Sequence, residues 1–204
     1  MNPFKVVQDF EAALCNYTGA PYCVTVNSCT MALLLCCKYL KVGEVEIPKR
    51  TYVGVPMSII HAGGKVRFCD YPWIGYYQLE PYPIFDSARF LTGDMWTRPW
   101  CGSQGRKKYI CLSFHWNKTL GIQQGGAILH NDGIADVMLR RMRFDGRAEG
   151  VAPKDDIFPV LGYHCYMSPE IAAEGLVRLS HLPKHNDPMP NDDYPDLSKI
   201  ELFK

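Results

Sequence analysis

Residues 113–126 read SFHWNKTLGIQQGG. Lys118 follows Ser113, Phe114, His115 and Trp116, comes just after the apolar run YICL, and precedes a pair of glycines. An amine in partly apolar surroundings loses its proton more readily, which is what attack on a carbonyl requires. Three other stretches carry complementary chemistry. Asp86 ends the run YPIFD, where its carboxylate can meet a cation. Ser28 and Thr30 stand at the start of a helix in NSCTMAL, and their hydroxyls and backbone N–H groups can receive an anion there. Tyr52, after EVEIPKRT, offers a flat ring face. An amine for an aldehyde, an acid for a pyridinium nitrogen, a cradle for phosphate and a lid for a ring are the four needs of pyridoxal phosphate.

The elements that must position these residues alternate between strand and helix. Asn2 and Pro3 can cap and start a helix with apolar positions at Phe4, Val7, Phe10 and Leu14, and Gly19 ends it. YCVTV reads as a buried strand that passes through NSCT into the helical MALLLCCKYL, a unit that builds α/β sheets. EVEIP, KVRFC, YPIFD, KKYICLSF and GGAILH are further strand candidates. DGIADVMLRRM and SPEIAAEGLVRLSHL read as helices, the second with Ser168 as cap and Pro169 in its first turn. The expected fold is therefore α/β. Residues 1–182 are expected to form one domain, and residues 183–204, rich in Pro, Asn and Asp, an extended tail.

Composition narrows the function. The chain has 204 residues, 47% of them hydrophobic, enough for a sizeable core. Lysine and arginine total 22 against 21 acidic residues, without the basic surplus that a nucleic-acid partner requires. MALLLCCKYL is the longest apolar run and is too short for a bilayer, so no membrane anchor is expected. Nine cysteines, two of them adjacent at Cys36 and Cys37, and no signal-peptide pattern at MNPFKVVQDF point to reduced thiols in a cytoplasm. No Cys or His spacing suits zinc.

Taken in order, these motifs resemble those of the DegT-type sugar aminotransferases, pyridoxal-phosphate enzymes of fold type I. Asn27 to Leu33 resemble the family's NSGTAAL, with Cys29 in place of glycine, and Pro48, Thr51 and Tyr52 resemble its proline, threonine and aromatic element. YYQLEP, FDSA, Ser113 through Leu120, Gly125 to Ala127 and GYHCYMSPE follow colinearly. The resemblance implies a three-layer α/β/α fold with a mixed, mostly parallel sheet, reduced from the family's large domain. It implies that Lys118 bonds the cofactor and shuttles a proton, and that Asp86 pairs with the pyridine nitrogen. Ser28, Cys29, Thr30 and Ser113 would hold the phosphate and Tyr52 would stack on the ring. Arg89, His115 and His164 complete the implied cofactor-binding set. The implied reaction moves an amino group from an amino acid, glutamate in the first instance, to a keto group on a nucleotide-linked sugar.

The resemblance also implies a homodimer with shared sites, in which Tyr163, His164 or Tyr166 approaches the phosphate turn of the partner subunit. Family members are commonly much longer, their second half supplying a smaller domain. Between YYQLEP and YPIFD the family also inserts a helix, an inner strand and another helix, so EVEIP and YPIFD must pair directly or another segment must stand between them. His164, Tyr166 and Gln124 replace an asparagine, an arginine and a glutamate of the family pattern. A second possibility is a reduced homologue that keeps the fold and serves as a binding or partner subunit. Retention of Lys118 and Asp86 favours the enzyme, and a lysine at this position disfavours the family's dehydratases, which carry histidine there.

Overall fold

The computed structural model describes residues 2, 4–98, 107–191 and 194–203. A five-stranded sheet forms the centre, in the order β1 (Tyr22–Val26), β7 (Gly126–His130), β6 (Tyr109–Ser113), β5 (Ile84–Ser87) and β4 (Tyr77–Gln78). β2 (Glu44–Pro48) and β3 (Lys65–Cys69) form a separate parallel pair. In the main sheet only β5 and β6 are parallel neighbours; β1–β7, β6–β7 and β4–β5 are antiparallel. The sheet is thus mixed, with fewer parallel neighbours than "mostly parallel" implies. The reason is positional: β7 runs against both of its neighbours, β1 and β6.

Helices cover both faces, giving three layers. On one face α1 (Lys5–Thr18) packs with α5 (Pro169–His181), and Phe10, Leu14, Ala172 and Leu179 meet Cys23, Ile110, Leu112 and Leu129 of the strands. On the other, α2 (Cys29–Leu40), α3 (Gly54–Ala62) and α4 (Gly133–Arg143) enclose Val24, Val26, Ile84, Cys111 and Ile128. Successive strand residues go to opposite cores, as the two-residue period of a strand demands. α2 is apolar on nearly every side because it is packed on nearly every side: Leu33, Leu35, Cys36 and Cys37 are all buried. Each such leucine stabilises the fold by about 1.5–3 kcal/mol.

The helix ends follow their local chemistry. Gly19 closes α1 with a left-handed backbone (φ 79°), which glycine adopts without a Cβ clash. α1 begins at Lys5, later than the cap at Asn2 predicts; the Asn2 side chain accepts instead from Phe4 N (3.0 Å), and Pro3 lies outside the described residues. Asp132 caps α4 and Ser168 caps α5. α3 was not anticipated, and β5 starts at Ile84 rather than at Tyr82.

The gap before β5 is closed by another segment, not by direct pairing. Tyr77 and Gln78 pair with Asp86 and Phe85, while Glu80 and Glu46 exchange backbone hydrogen bonds of 2.8 and 3.1 Å. This short run therefore stands between β5 and β2.

The C-terminal segment lies along the body of the protein. Tyr17 Oη donates to Pro183 O (2.5 Å), Gly93 N to Lys184 O (2.7 Å), Met189 N to Arg89 O (2.8 Å) and Leu197 N to Lys49 O (2.8 Å). Leu197 is fully buried. The eight described cysteines are free thiols. Among the described residues no helix is long and apolar enough to cross a membrane.

Candidate active site

A cavity of about 410 Å³ opens where β1, β5 and β6 end and α2 begins. Its lining includes Ser28, Cys29, Thr30, Tyr52, Asp86, Arg89, Ser113, His115 and Lys118. All but one of the residues expected at the site thus meet around one space.

The floor is the β1–α2 turn. Ser28 has an extended backbone, and its hydroxyl accepts from Met31 N (3.2 Å), so α2 begins with its positive dipole end at the cavity. The glycine pair that follows Lys118 explains how β7 reaches this turn. A Cβ on Gly126 would lie 2.6 Å from both Cys29 N and Ser28 C, and Gly125 takes a φ of +131° beside Met167. A side chain on Gly126 would push the turn away from β7.

Asp86 comes from the end of β5 and is only 4% exposed. Its carboxylate accepts from Ala88 N (2.9 Å) and from Tyr77 Oη (3.0 Å), and Tyr77 Oη in turn pairs with Thr51 Oγ1 at 2.6 Å. Burial pushes the Asp86 carboxyl above its ordinary value; the two hydrogen bonds and the charge of Lys118 pull it back without cancelling that effect. Burial, reinforced by Asp86, raises the Tyr77 phenol, which keeps it a neutral donor. The Cys29 thiol is likewise held protonated by burial, with Asp86 adding to the effect. The fold therefore places a buried carboxylate where a bound cation would be stabilised.

Lys118 sits in the turn after β6, its N–H bonded to His115 O (2.8 Å). Of the aromatic residues before it, Phe114 is buried under the turn, whereas Trp116 is 70% exposed. Part of the apolar company read from the sequence therefore points to solvent. His115 Nδ1 lies 2.7 Å from Asn117 Oδ1, at the rim. Tyr52, 54% exposed, covers the mouth from the start of α3.

His164 is the exception, since it does not line this cavity. It is 72% exposed and contacts Asp145 Oδ2 at 2.8 Å. The cause is strand-like alternation: Cys165 and Met167 point into the core, which turns His164 outward. The segment itself is close, because Asn27 N donates to Cys165 O at 2.8 Å. Tyr194, Asn117, Asn27 and Gln124 also line the cavity. Asn27 and Gln124 lie inside the motifs quoted above. Tyr194 is in the tail, and its only signal in the sequence is an aromatic ring in a polar stretch.

These residues fit pyridoxal phosphate. The cavity joins a helix N-terminus for phosphate, a buried carboxylate supported by neutral donors for a pyridinium, an aromatic cover and an amine. The fold is that of the large domain of fold type I pyridoxal-phosphate enzymes. The chain belongs to the DegT/DnrJ/EryC1/StrS aminotransferase family, whose model matches residues 2–81 and 84–188. The interruption, at residues 82–83, falls immediately before β5.

Among characterised relatives, the chain is 25% identical over 219 residues to GDP-perosamine synthase of Caulobacter vibrioides, covering 89% of this chain and 58% of that protein. Among solved structures it is similar to the sugar aminotransferase CalS13 of Micromonospora echinospora, with a TM-score of 0.70, 18% identity and coverage of 87% of this chain and 61% of that one. It is also similar to NtdA of Bacillus subtilis with bound cofactor PMP, with a TM-score of 0.68, 19% identity and coverage of 87% and 48%. The chain thus spans between about half and three fifths of the length of these relatives.

Proposed function

We propose that the protein is a pyridoxal-phosphate-dependent aminotransferase that moves an amino group from an amino acid, glutamate first among candidates, to a keto group of a nucleotide-linked sugar. The observation that carries this reading is the convergence of Lys118, buried Asp86 and the α2 N-terminus on one cavity. The sugar-nucleotide acceptor is supported by the relatives, among them GDP-perosamine synthase and a UDP-4-amino-4,6-dideoxy-N-acetyl-β-L-altrosamine transaminase of Campylobacter jejuni.

When bound, pyridoxal phosphate supplies an aldehyde and a ring that accepts electrons. Ser28, Cys29, Thr30 and Ser113 would hold the phosphate at the α2 N-terminus. Asp86, raised by burial, would keep a proton on the ring nitrogen, and that cation would in turn favour the ionised carboxylate. Tyr52 covers the ring and excludes water, while Arg89 and His115 frame the opening. The Lys118 amine would take the proton from the donor's Cα and deliver it to C4′, the carbon that carries the cofactor's aldehyde.

Our reading includes a homodimer with shared sites. His164 faces outward beside its own phosphate turn, on a segment that also exposes Ile157, Phe158 and Leu161. Apolar residues exposed along one segment favour an interface. The odd count of nine cysteines, with Cys36 and Cys37 adjacent, supports a reducing, cytoplasmic setting.

The test is a half-reaction. Protein loaded with pyridoxal phosphate is mixed with L-glutamate, and the cofactor is then assayed for conversion to pyridoxamine phosphate. Conversion, followed by appearance of an amino sugar when GDP- or UDP-linked keto sugars are added, is the expected result. Cofactor that binds but is not converted by any amino acid would contradict transamination and leave a binding subunit.

A further inference from the structure

The C-terminal segment contributes Tyr194 to the cavity wall. Among the described residues, the charged side chains lining that cavity are Asp86, Arg89 and Lys118. Lys118 lies near enough to Asp86 for its charge to act on the carboxyl. Arg89, three residues beyond Asp86 and just past the end of β5, brings a second cation, and Tyr194 contacts it. Arg89 Nη1 donates to Tyr194 Oη at 3.1 Å, and the guanidinium carbon lies 5.3 Å from the centre of the tyrosine ring.

Tyr194 is itself held from several sides. Its ring stacks on Trp73 at 6.1 Å and 17°, and Trp73 Nε1 donates to Arg50 O at 2.9 Å. Trp73 meets Tyr77 edge-on at 4.8 Å, and Tyr77 donates to Asp86. The contacts therefore run from Asp86 through Tyr77, Trp73 and Tyr194 to Arg89, and so return to the end of β5 where they began. Beyond Tyr194 the segment is anchored by the backbone bond from Leu197 to Lys49 and by the buried Leu197 side chain.

An arginine on a free stem loses rotamer entropy each time it binds an anion. A guanidinium already oriented by a tyrosine avoids much of that loss, and its planar fork suits two oxygens at once. We infer that Tyr194 is a positioning residue, which holds the Arg89 guanidinium at the cavity wall as a fork for an oxyanion, either the cofactor's phosphate or the carboxylate of an amino acid substrate. The identity of the oxyanion rests on the function proposed above; the existence of the fork does not.

Tyr194→Phe tests this, because it removes the hydroxyl and keeps the ring on Trp73. Binding of pyridoxal phosphate, of pyridoxal and of succinate is measured by calorimetry for the parent protein, Tyr194→Phe, Arg89→Ala and the double variant. Loss of one neutral or charge-assisted hydrogen bond predicts affinity about 3- to 10-fold weaker for the oxyanion that Arg89 receives. In the Arg89→Ala background the same change is expected to have no further effect. A loss for pyridoxal phosphate but not for pyridoxal assigns the phosphate; a loss for succinate alone assigns the carboxylate. Equal affinities in the parent and Tyr194→Phe proteins, a loss that persists without Arg89, or no binding of any probe by the parent would each overturn the inference. Succinate binding that depends on Tyr194, in a protein that never binds pyridoxal phosphate, would overturn the proposed function and uphold the fork.

Discussion

At the scale of single residues, Asp86 carries the most testable physics. Its carboxyl is raised by burial, so in the cofactor-free protein the ionised form opposes folding. A carboxyl with a raised folded-state value is most favourable to folding while protonated, and it loses that advantage as pH rises through the folded value. Cofactor-free Asp86→Asn is therefore expected to melt at or above the parent protein near pH 7, with the difference closing as pH falls below the ordinary carboxylate range. Thermal melts across pH check this. The same substitution is expected to weaken pyridoxal phosphate by roughly 10- to 100-fold, the worth of a charge-assisted hydrogen bond. A lower melting point at neutral pH with unchanged cofactor affinity would remove Asp86 from the site. Lys118 and Asp86 were legible in the sequence because Asp86 closes an apolar strand and Lys118 follows one, where α/β folds open their crevices. Tyr194 was not, because the contact that brings it to Arg89 spans 105 residues and leaves no local pattern.

At the scale of elements, α1 and α4 are joined by a buried ion network that the apolar periodicity did not disclose. Glu11 of α1 accepts from Arg143 and from Arg140 (2.6 Å) of α4, and from Thr25 N of β1 (2.9 Å). Burial tends to raise the Glu11 carboxyl, but Arg143 and Arg140 outweigh it and hold the group below its ordinary value of 4.5. Glu11→Gln leaves Arg143 buried and without a carboxylate on that side, at a cost of about 3–5 kcal/mol at neutral pH. A depressed carboxyl contributes stability above its unfolded value and loses it as pH falls through the folded one, so the gap between the two proteins is expected to narrow below about pH 4. Urea midpoints at several pH values measure it; a gap constant from pH 7 to pH 3 would contradict the role given to the pair. Strands and long helices were readable because their periodicity is local. α3 was not: GVPMSIIHA opens with glycine, contains Pro56 and lacks a polar face. β4, two residues long, was too short to see, and the way it closes the gap before β5 is a matter of pairing that no single segment encodes.

At the scale of the whole molecule, the proposed shared site requires a second copy of the chain beside the exposed His164 segment. Light scattering at micromolar concentration is expected to give the mass of a dimer, and replacing exposed Leu161 with aspartate is expected to shift it toward the monomer. A monomer that binds cofactor fully would mean that one chain completes the site and that His164 has no part in it. The central claim, that Lys118 is the residue on which the cofactor acts, has a more direct test. Protein incubated with pyridoxal phosphate is reduced with sodium borohydride, digested and mapped by mass spectrometry. The account predicts a phosphopyridoxyl group on the peptide that carries Lys118, and its loss in Lys118→Ala with the fold retained; the group on another lysine, or the same labelling in Lys118→Ala, would contradict it.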